Sequence, residues 1–116
     1  MDQKGVWADR IARMREEHGK HLEAELPRLV DGLVRLGARK VILFGSMTRG
    51  RAGIASDLDL IAVIPTGLGP VERLAWVYQE LSPRGADILV YTPDEFDRGS
   101  SFIRHATRTG KVMYDA

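Results

Sequence analysis

Three short apolar runs, each followed by a glycine or a proline, restrict the fold of this 116-residue chain more than any other feature. They occupy Lys40–Phe44, residues 57–64 and Ala86–Tyr91. Each is rich in Val, Ile and Leu and is shorter than a typical helix, which is the pattern of a buried β-strand. The chain is therefore expected to build a small sheet.

Helical spacing of apolar residues fills much of the remaining sequence. It runs from about residue 6 to residue 36, over residues 71–81 and over residues 102–110, with a short helical turn at 93–96. Pro27 and Gly19 interrupt the first of these regions, so we expect a break or kink between about His18 and Pro27. In that interpretation Pro27 occupies the first turn of a second helix, and Gly37 ends it.

The order of these segments predicts the fold class. Helices precede a strand, a loop, a second strand, a helix, a third strand, a short helix and a final strand at Lys111–Asp115. We predict an α/β (α+β) protein with a small mixed β-sheet of about five strands and helices packed on it. No internal repeat or linker is visible, so a single domain over 1–116 is expected, with a helical region at about 6–36 and a catalytic sheet and helices at about 40–115.

Composition excludes several classes of protein. Without cysteine, a disulfide scaffold, a thiolate zinc site and a cysteine nucleophile are impossible. A formal net charge of +1 gives no strong signal for nucleic-acid binding, which usually needs a basic excess. No stretch is apolar for long enough to span a membrane, and the first residues lack the apolar core of a signal peptide. We expect a cytoplasmic protein.

The loop after the first strand carries residues suited to phosphate binding. Gly45 allows the backbone to approach a ligand closely, Ser46 can donate to a phosphate, and Arg49 can supply positive charge. A plain strand-to-helix turn with exposed arginines is the alternative. A Walker A loop is excluded, because Arg51 stands at its lysine position and Ala52 at its metal-binding Ser/Thr position.

Three aspartates form the second candidate group. Asp57 and Asp59 flank Leu58, so in a strand their carboxylates leave the same face, roughly 7 Å apart. Two like charges at this distance favour a divalent cation, and oxygen ligands suit Mg²⁺ or Mn²⁺. Asp87 begins the third apolar run, so it joins them if the two strands are neighbours. Three acids can hold two metal ions and supply a general base.

Read together, Gly45-Ser46, ten intervening residues and Asp57-Leu58-Asp59 form a recognisable pattern. It closely resembles the GS-x(n)-D-x-D signature of the DNA polymerase β-like nucleotidyltransferases, in particular the minimal nucleotidyltransferases. The likeness covers nearly the whole chain, including the order of the elements and the aspartate of the third strand. The resemblance implies the polymerase β-like nucleotidyltransferase fold.

The resemblance also implies roles for single residues and a biological setting. Gly45 and Ser46, with Arg49, would hold the phosphates of ATP or another nucleoside triphosphate. Asp57, Asp59 and Asp87 would bind two Mg²⁺ ions and catalyse transfer of a nucleoside monophosphate. Small members of this family are commonly paired with a helical HEPN ribonuclease in toxin-antitoxin modules. In several of them the transferase attaches AMP to a tyrosine of that partner.

Two other functions remain open at this stage. The chain could neutralise a partner by occlusion, as a non-catalytic antitoxin, or it could transfer a nucleotide to a small molecule or an RNA end. The base of the nucleotide and a homo- or hetero-oligomeric state are not decided by the sequence. Because so short a chain leaves the acids on an open rim, we expect a partner to complete the active site.

Overall fold

A computed structural model of the chain describes residues 3–45 and 58–116. Its elements, in chain order, are α1 (Gln3–Arg35), β1 (Lys40–Phe44), β2 (Leu58–Val63), α2 (Pro70–Leu81), β3 (Ala86–Tyr91), α3 (Pro93–Arg98), α4 (Ser101–Thr109) and β4 (Lys111–Asp115). The predicted strands and the three helices after β2 are all present within one or two residues of their expected bounds. None of the described helices has the length and apolar character that a membrane span requires.

The four described strands form one mixed sheet in the order β3-β2-β1-β4. β1 pairs antiparallel with both β2 and β4, whereas β2 and β3 run parallel. Helix α2 makes the crossover between the parallel strands, as a parallel connection requires. The predicted small mixed sheet with packed helices is confirmed, with four strands in the described part of the chain instead of about five.

Helices pack on both faces of the sheet, which explains why β1 and most of β2 are continuously apolar rather than alternating. On one face, residues such as Leu58, Leu60 and Ile88 pack with Leu29 and Leu33 of α1 and Val77 of α2. A smaller cluster lies on the other face, where Ala106 of α4 and Phe96 of α3 pack on the sheet. Its strand members are Ile42, Phe44, Ile61, Val63 and Tyr91. The molecule is thus a three-layer arrangement of helices, sheet and helices.

Helix α1 corrects the prediction of a break before Pro27. It is continuous from Gln3 to Arg35, with Pro27 in its interior. A proline there costs about 3 kcal/mol, because it removes a helical hydrogen bond. Leu26 and Leu29, on either side of it, both pack against the same core. Burying side chains such as Leu29 and Leu33, at about 1.5–3 kcal/mol each, offsets that cost and keeps the helix in one piece.

A buried carboxylate joins α1 to the turn between α2 and β3. Glu25 is only 5% exposed and accepts hydrogen bonds from Arg28 at 2.5 and 2.9 Å and from the backbone N–H of Arg84 at 2.7 Å. Arg28 in turn donates to the carbonyl of Leu81 at 2.8 Å. The Arg28 hydrogen bonds lower the pKa of Glu25, and the same contact raises the pKa of Arg28. This cluster fixes how α1 sits beside α2.

Candidate functional site

Two of the three candidate aspartates are direct neighbours in the sheet. The parallel register of β2 and β3 pairs Asp59 with Asp87. Neighbouring strands lie about 4.8 Å apart, so the two side chains leave adjacent positions on the same face. The sequence predicts that Asp87 joins the other acids if its strand lies next to the strand of Asp59. The register meets this condition.

The surroundings of this pair differ on its two sides. Asp59 is half-buried, because Phe44 of β1 is its register partner on the other side, while Asp87 is exposed on the outer strand. Leu58 and Leu60, which flank Asp59, enter the opposite face. Leu89, two residues after Asp87 on the acid face, is 37% exposed. The acids thus lie where the cover of that face is incomplete, and a second molecule can reach them.

Gly45 lies against this pair at the end of β1. Its φ is +86°, a left-handed conformation that favours glycine. A Cβ added here would collide with Oδ2 of Asp59. The sequence predicts a glycine at this point so that the backbone can approach a ligand. The structure adds a second reason, which is that the main chain passes close to the carboxylate of Asp59.

The other predicted site residues cannot be placed in the same way. Ser46, Arg49 and Asp57 fall in 46–57, outside the described residues, as does Arg51. Their roles in phosphate and metal binding remain predictions. What the structure contributes is the frame around them, because residue 45 and residue 58 flank the segment and both lie beside the Asp59–Asp87 pair.

The chemistry of the pair fits a divalent cation. Two adjacent carboxylates repel each other unless a positive charge lies between them, and hard oxygen donors are the ligands that Mg²⁺ and Mn²⁺ prefer. Within residues 3–45 and 58–116 no group of three or more His, Asp or Glu side chains is assembled. The described acids are therefore two-thirds of the predicted set, and Asp57 is needed for the third ligand.

One polar feature was not anticipated from the sequence. Arg73 on α2 is only 5% exposed, and it pairs with Glu95 of α3 through an Nη2–Oε1 contact of 2.6 Å. Val71, the first residue of the apolar spacing that predicts this helix, is 77% exposed. The two side chains that α2 buries are Arg73 and Val77, which lie four residues apart on the same face of the helix. This spacing is the sequence signal that could have indicated the buried position of Arg73.

The fold is shared with proteins of known class. The nucleotidyltransferase domain family matches residues 26–105. A Sulfolobus solfataricus protein assigned as a nucleotidyltransferase superposes with a TM-score of 0.63 at 18% identity, over 88% of this chain and 87% of its own. A toxin-antitoxin structure with AMP-PNP gives 0.53 at 18% identity, over 78% of this chain and 73% of its own. No curated protein sequence matches significantly.

Proposed function

Because the chain belongs to the nucleotidyltransferase domain family, we propose that it transfers AMP from ATP to a hydroxyl group of a partner protein, as the antitoxin of a HEPN ribonuclease. The observation that carries the proposal is the Asp59–Asp87 pair, which sits on a partly uncovered sheet face beside Gly45. Family membership supports the reaction class. The acceptor, the identity of the nucleotide and the partner are what we propose beyond it.

The proposed reaction is an in-line displacement at the α-phosphorus of ATP. The acceptor oxygen forms a bond to this phosphorus, and the bond from phosphorus to the α,β-bridging oxygen breaks, so that pyrophosphate leaves. Asp87, the exposed member of the pair, accepts the proton of the acceptor hydroxyl. Gly45 and Ser46, with Arg49, hold the phosphate chain in line.

Nucleotidyltransferase domains generally use divalent metal ions. Here Asp57 and Asp59 would hold Mg²⁺, with Asp87 sharing one ion, and the bound ions would neutralise charge on the phosphates and on the leaving pyrophosphate. Half-burial of Asp59 between β1 and β3 restricts its carboxylate to few orientations, which suits a ligand whose geometry must be kept.

Two observations favour a protein as the acceptor and ATP as the donor. The toxin-antitoxin neighbour was solved with AMP-PNP, an analogue of ATP. On this chain, Asp87 and Leu89 are both exposed on the acid face, whereas α4 packs mainly on β1. A partner that docks there would bring its hydroxyl to Asp87 and exclude water at the same time.

The test is co-expression with the product of the adjacent gene, which the proposal takes to be a HEPN-family protein, followed by intact-mass measurement of that product. We expect its mass to increase by one or more adenylyl groups. Replacement of Asp59 by Asn should reduce the transfer rate measured with labelled ATP at least about 100-fold, because the charge that holds the metal is lost. Asp97→Asn, an equal change at an exposed position of α3, should leave the rate unchanged.

Other outcomes assign the function differently. If Asp59→Asn still neutralises the toxin fully while transfer is lost, the chain acts by occlusion. If label from ATP appears on RNA ends or on a small molecule but never on the partner, the acceptor in the proposal is wrong. Unchanged transfer in both Asp59→Asn and Asp87→Asn would refute the assigned site.

A further inference from the structure

A polar cavity lies at the end of the β2–β3 pair opposite to the Asp59–Asp87 pair. It has a volume of about 440 Å³ and is bounded by α2, the end of β3, α3 and the first turn of α4. The residues that line it are Arg73, Tyr91, Glu95, Arg98, Gly99, Ser100 and Ile103. Tyr91 follows Asp87 by four residues on β3, so about 13 Å of strand separate this cavity from the acid pair. It is a different site from the one described above.

Arg73 is the unusual member of this lining. Its side chain is 6% exposed, and its Nη2 donates to Oε1 of Glu95 at 2.6 Å. Its Nε–H is buried without any hydrogen-bond partner, the one buried side-chain atom in this condition among the described residues. Buried donors of this kind are nearly always satisfied, and leaving one unsatisfied costs about 1–3 kcal/mol in general. Arg73 lines the cavity, so a molecule bound there could supply an acceptor for this Nε–H.

Glu95 makes further hydrogen bonds besides the one with Arg73. The same Oε1 atom that binds Arg73 also accepts from the backbone N–H of Thr92 at 3.0 Å, and the Thr92 hydroxyl accepts from the N–H of Glu95. This capping box fixes the carboxylate at the start of α3.

The charges around the cavity add up to a positive site. Arg73 and Arg98 supply two positive charges, while Glu95 supplies one negative charge, its pKa being lowered chiefly by the hydrogen bond from Arg73. The first turn of α4, a nine-residue helix capped by Ser100, adds the positive end of its dipole. The walls formed by Tyr91 and Ile103 are mainly apolar, so a bound anion is partly shielded from water.

We propose that this cavity binds a phosphate-type oxyanion. One oxygen accepts from the Nε–H of Arg73, and the others contact the guanidinium of Arg98 and the N-terminal turn of α4. Such charge-assisted contacts are the strong class of hydrogen bond, and arginine is the side chain best matched to tetrahedral oxyanions. The source is either free phosphate or the phosphoryl group of a small molecule, whose body would lie against Tyr91 and Ile103.

The experiment follows the Nε–H signal of Arg73 by ¹H–¹⁵N NMR in Mg²⁺-free buffer during titration with inorganic phosphate. The signal is assigned by its loss in Arg73→Lys, which keeps the charge but removes the Nε donor. We expect a saturable downfield shift, with the dissociation constant weakened about fivefold or more in Arg98→Gln. Arg13→Gln, which removes the same charge from an exposed position on α1, should bind like the wild type.

Phenyl phosphate distinguishes the two sources. Binding at least about fivefold tighter than phosphate would identify the phosphoryl group of a small molecule, whereas equal affinity would identify free phosphate. Chloride at the same ionic strength should produce no saturable shift. The proposal is overturned if phosphate causes no saturable shift of the Arg73 signal, or if Arg98→Gln and Arg13→Gln weaken binding equally. Because the readout is binding without Mg²⁺, it stands or falls independently of nucleotidyl transfer.

Discussion

The two ends of the β2–β3 pair carry opposite charges. At the first end, the like charges of Asp59 and Asp87 stand side by side on neighbouring strands. At the far end, beyond Tyr91, Arg73 is buried and tied to Glu95. Both ends use the same parallel strands, and their stabilities rest on different interactions.

The two ends differ in the charges that they bring together. At the acid end two like charges occupy adjacent strand positions, and a bound cation would relieve their repulsion. At the arginine end the charge of Arg73 is paired with Glu95. Removal of a charge at the acid end should therefore leave the fold intact, whereas removal of a charge at the arginine end should weaken it.

The largest expected effect separates activity from stability at the acid end. Asp59→Asn and Asp87→Asn should each lower the transfer rate at least about 100-fold, because metal binding and proton acceptance depend on these charges. In metal-free buffer Asp87→Asn should melt at or above the wild-type temperature, because its repulsion with Asp59 is removed. Calorimetry with EDTA checks this. A lower melting temperature in Asp87→Asn would show that this acid is structural.

At the arginine end the expected effect is on stability. Arg73→Met should lower the free energy of unfolding by about 2 kcal/mol, because it leaves Glu95 without its main partner; the 30% exposure of Glu95 limits the loss. Urea denaturation measures the change. Arg98→Met, at an exposed position of the same cavity, serves as the control and should cost less than about 0.5 kcal/mol. Equal costs would remove the distinction between the ends.

Gly45 provides a test at the junction of fold and site. Gly45→Ala should cost about 1–2 kcal/mol, since alanine is disfavoured at a φ of +86° and its Cβ would displace the Asp59 carboxylate. Gly37→Ala is the matched control, because Gly37 also has a positive φ, of 102°, but a Cβ there meets nothing within 4 Å. Comparison of urea midpoints isolates the contact with Asp59. Identical losses would show that only the backbone conformation matters.

The smallest expected effect is the acid sensitivity of the Glu25 cluster. The pKa of Glu25 is lowered in the folded chain from its ordinary value of 4.5, so its contribution is present above pH 4.5 and is lost as the pH falls through the folded pKa. Glu25→Gln should therefore lose about 1 kcal/mol at pH 7 and show a shallower decline below pH 4.5. Glu80→Gln, at an exposed position of α2, should keep the wild-type profile in denaturation series between pH 7 and 3.

The sequence predicted the elements better than their partnerships. Each apolar run became a strand because burial of Val, Ile and Leu is a local property, and both prolines and glycines marked the ends correctly. The pairing of Asp59 with Asp87 joins residues 28 positions apart, through a register that no local pattern encodes. From the sequence, the proximity of Asp59 and Asp87 could be predicted only on the condition that their two strands were neighbours.

Two departures from local residue preference have the same physical origin. Pro27 is locally a reason to stop a helix, but the burial of Leu26 and Leu29 on one core overrides it. Arg73 is locally a surface residue, but the capping box of α3 provides a fixed carboxylate that lets it be buried. In both cases tertiary contacts outweigh the preference of a single residue. Neither contact is visible until the elements are placed.

Helix α1 is one element by its hydrogen bonds, yet its two halves are secured very differently. At 33 residues it is about 50 Å long, in a molecule that measures 62 × 28 × 23 Å. The side chains described between Asp9 and Ala24 are all exposed, and the first buried one is Glu25. Because the side chains described before Glu25 are exposed, amide protons there should exchange with deuterium faster than those after it, where the helix packs on the core. The boundary of slow exchange would mark where this helix joins the cooperative unit.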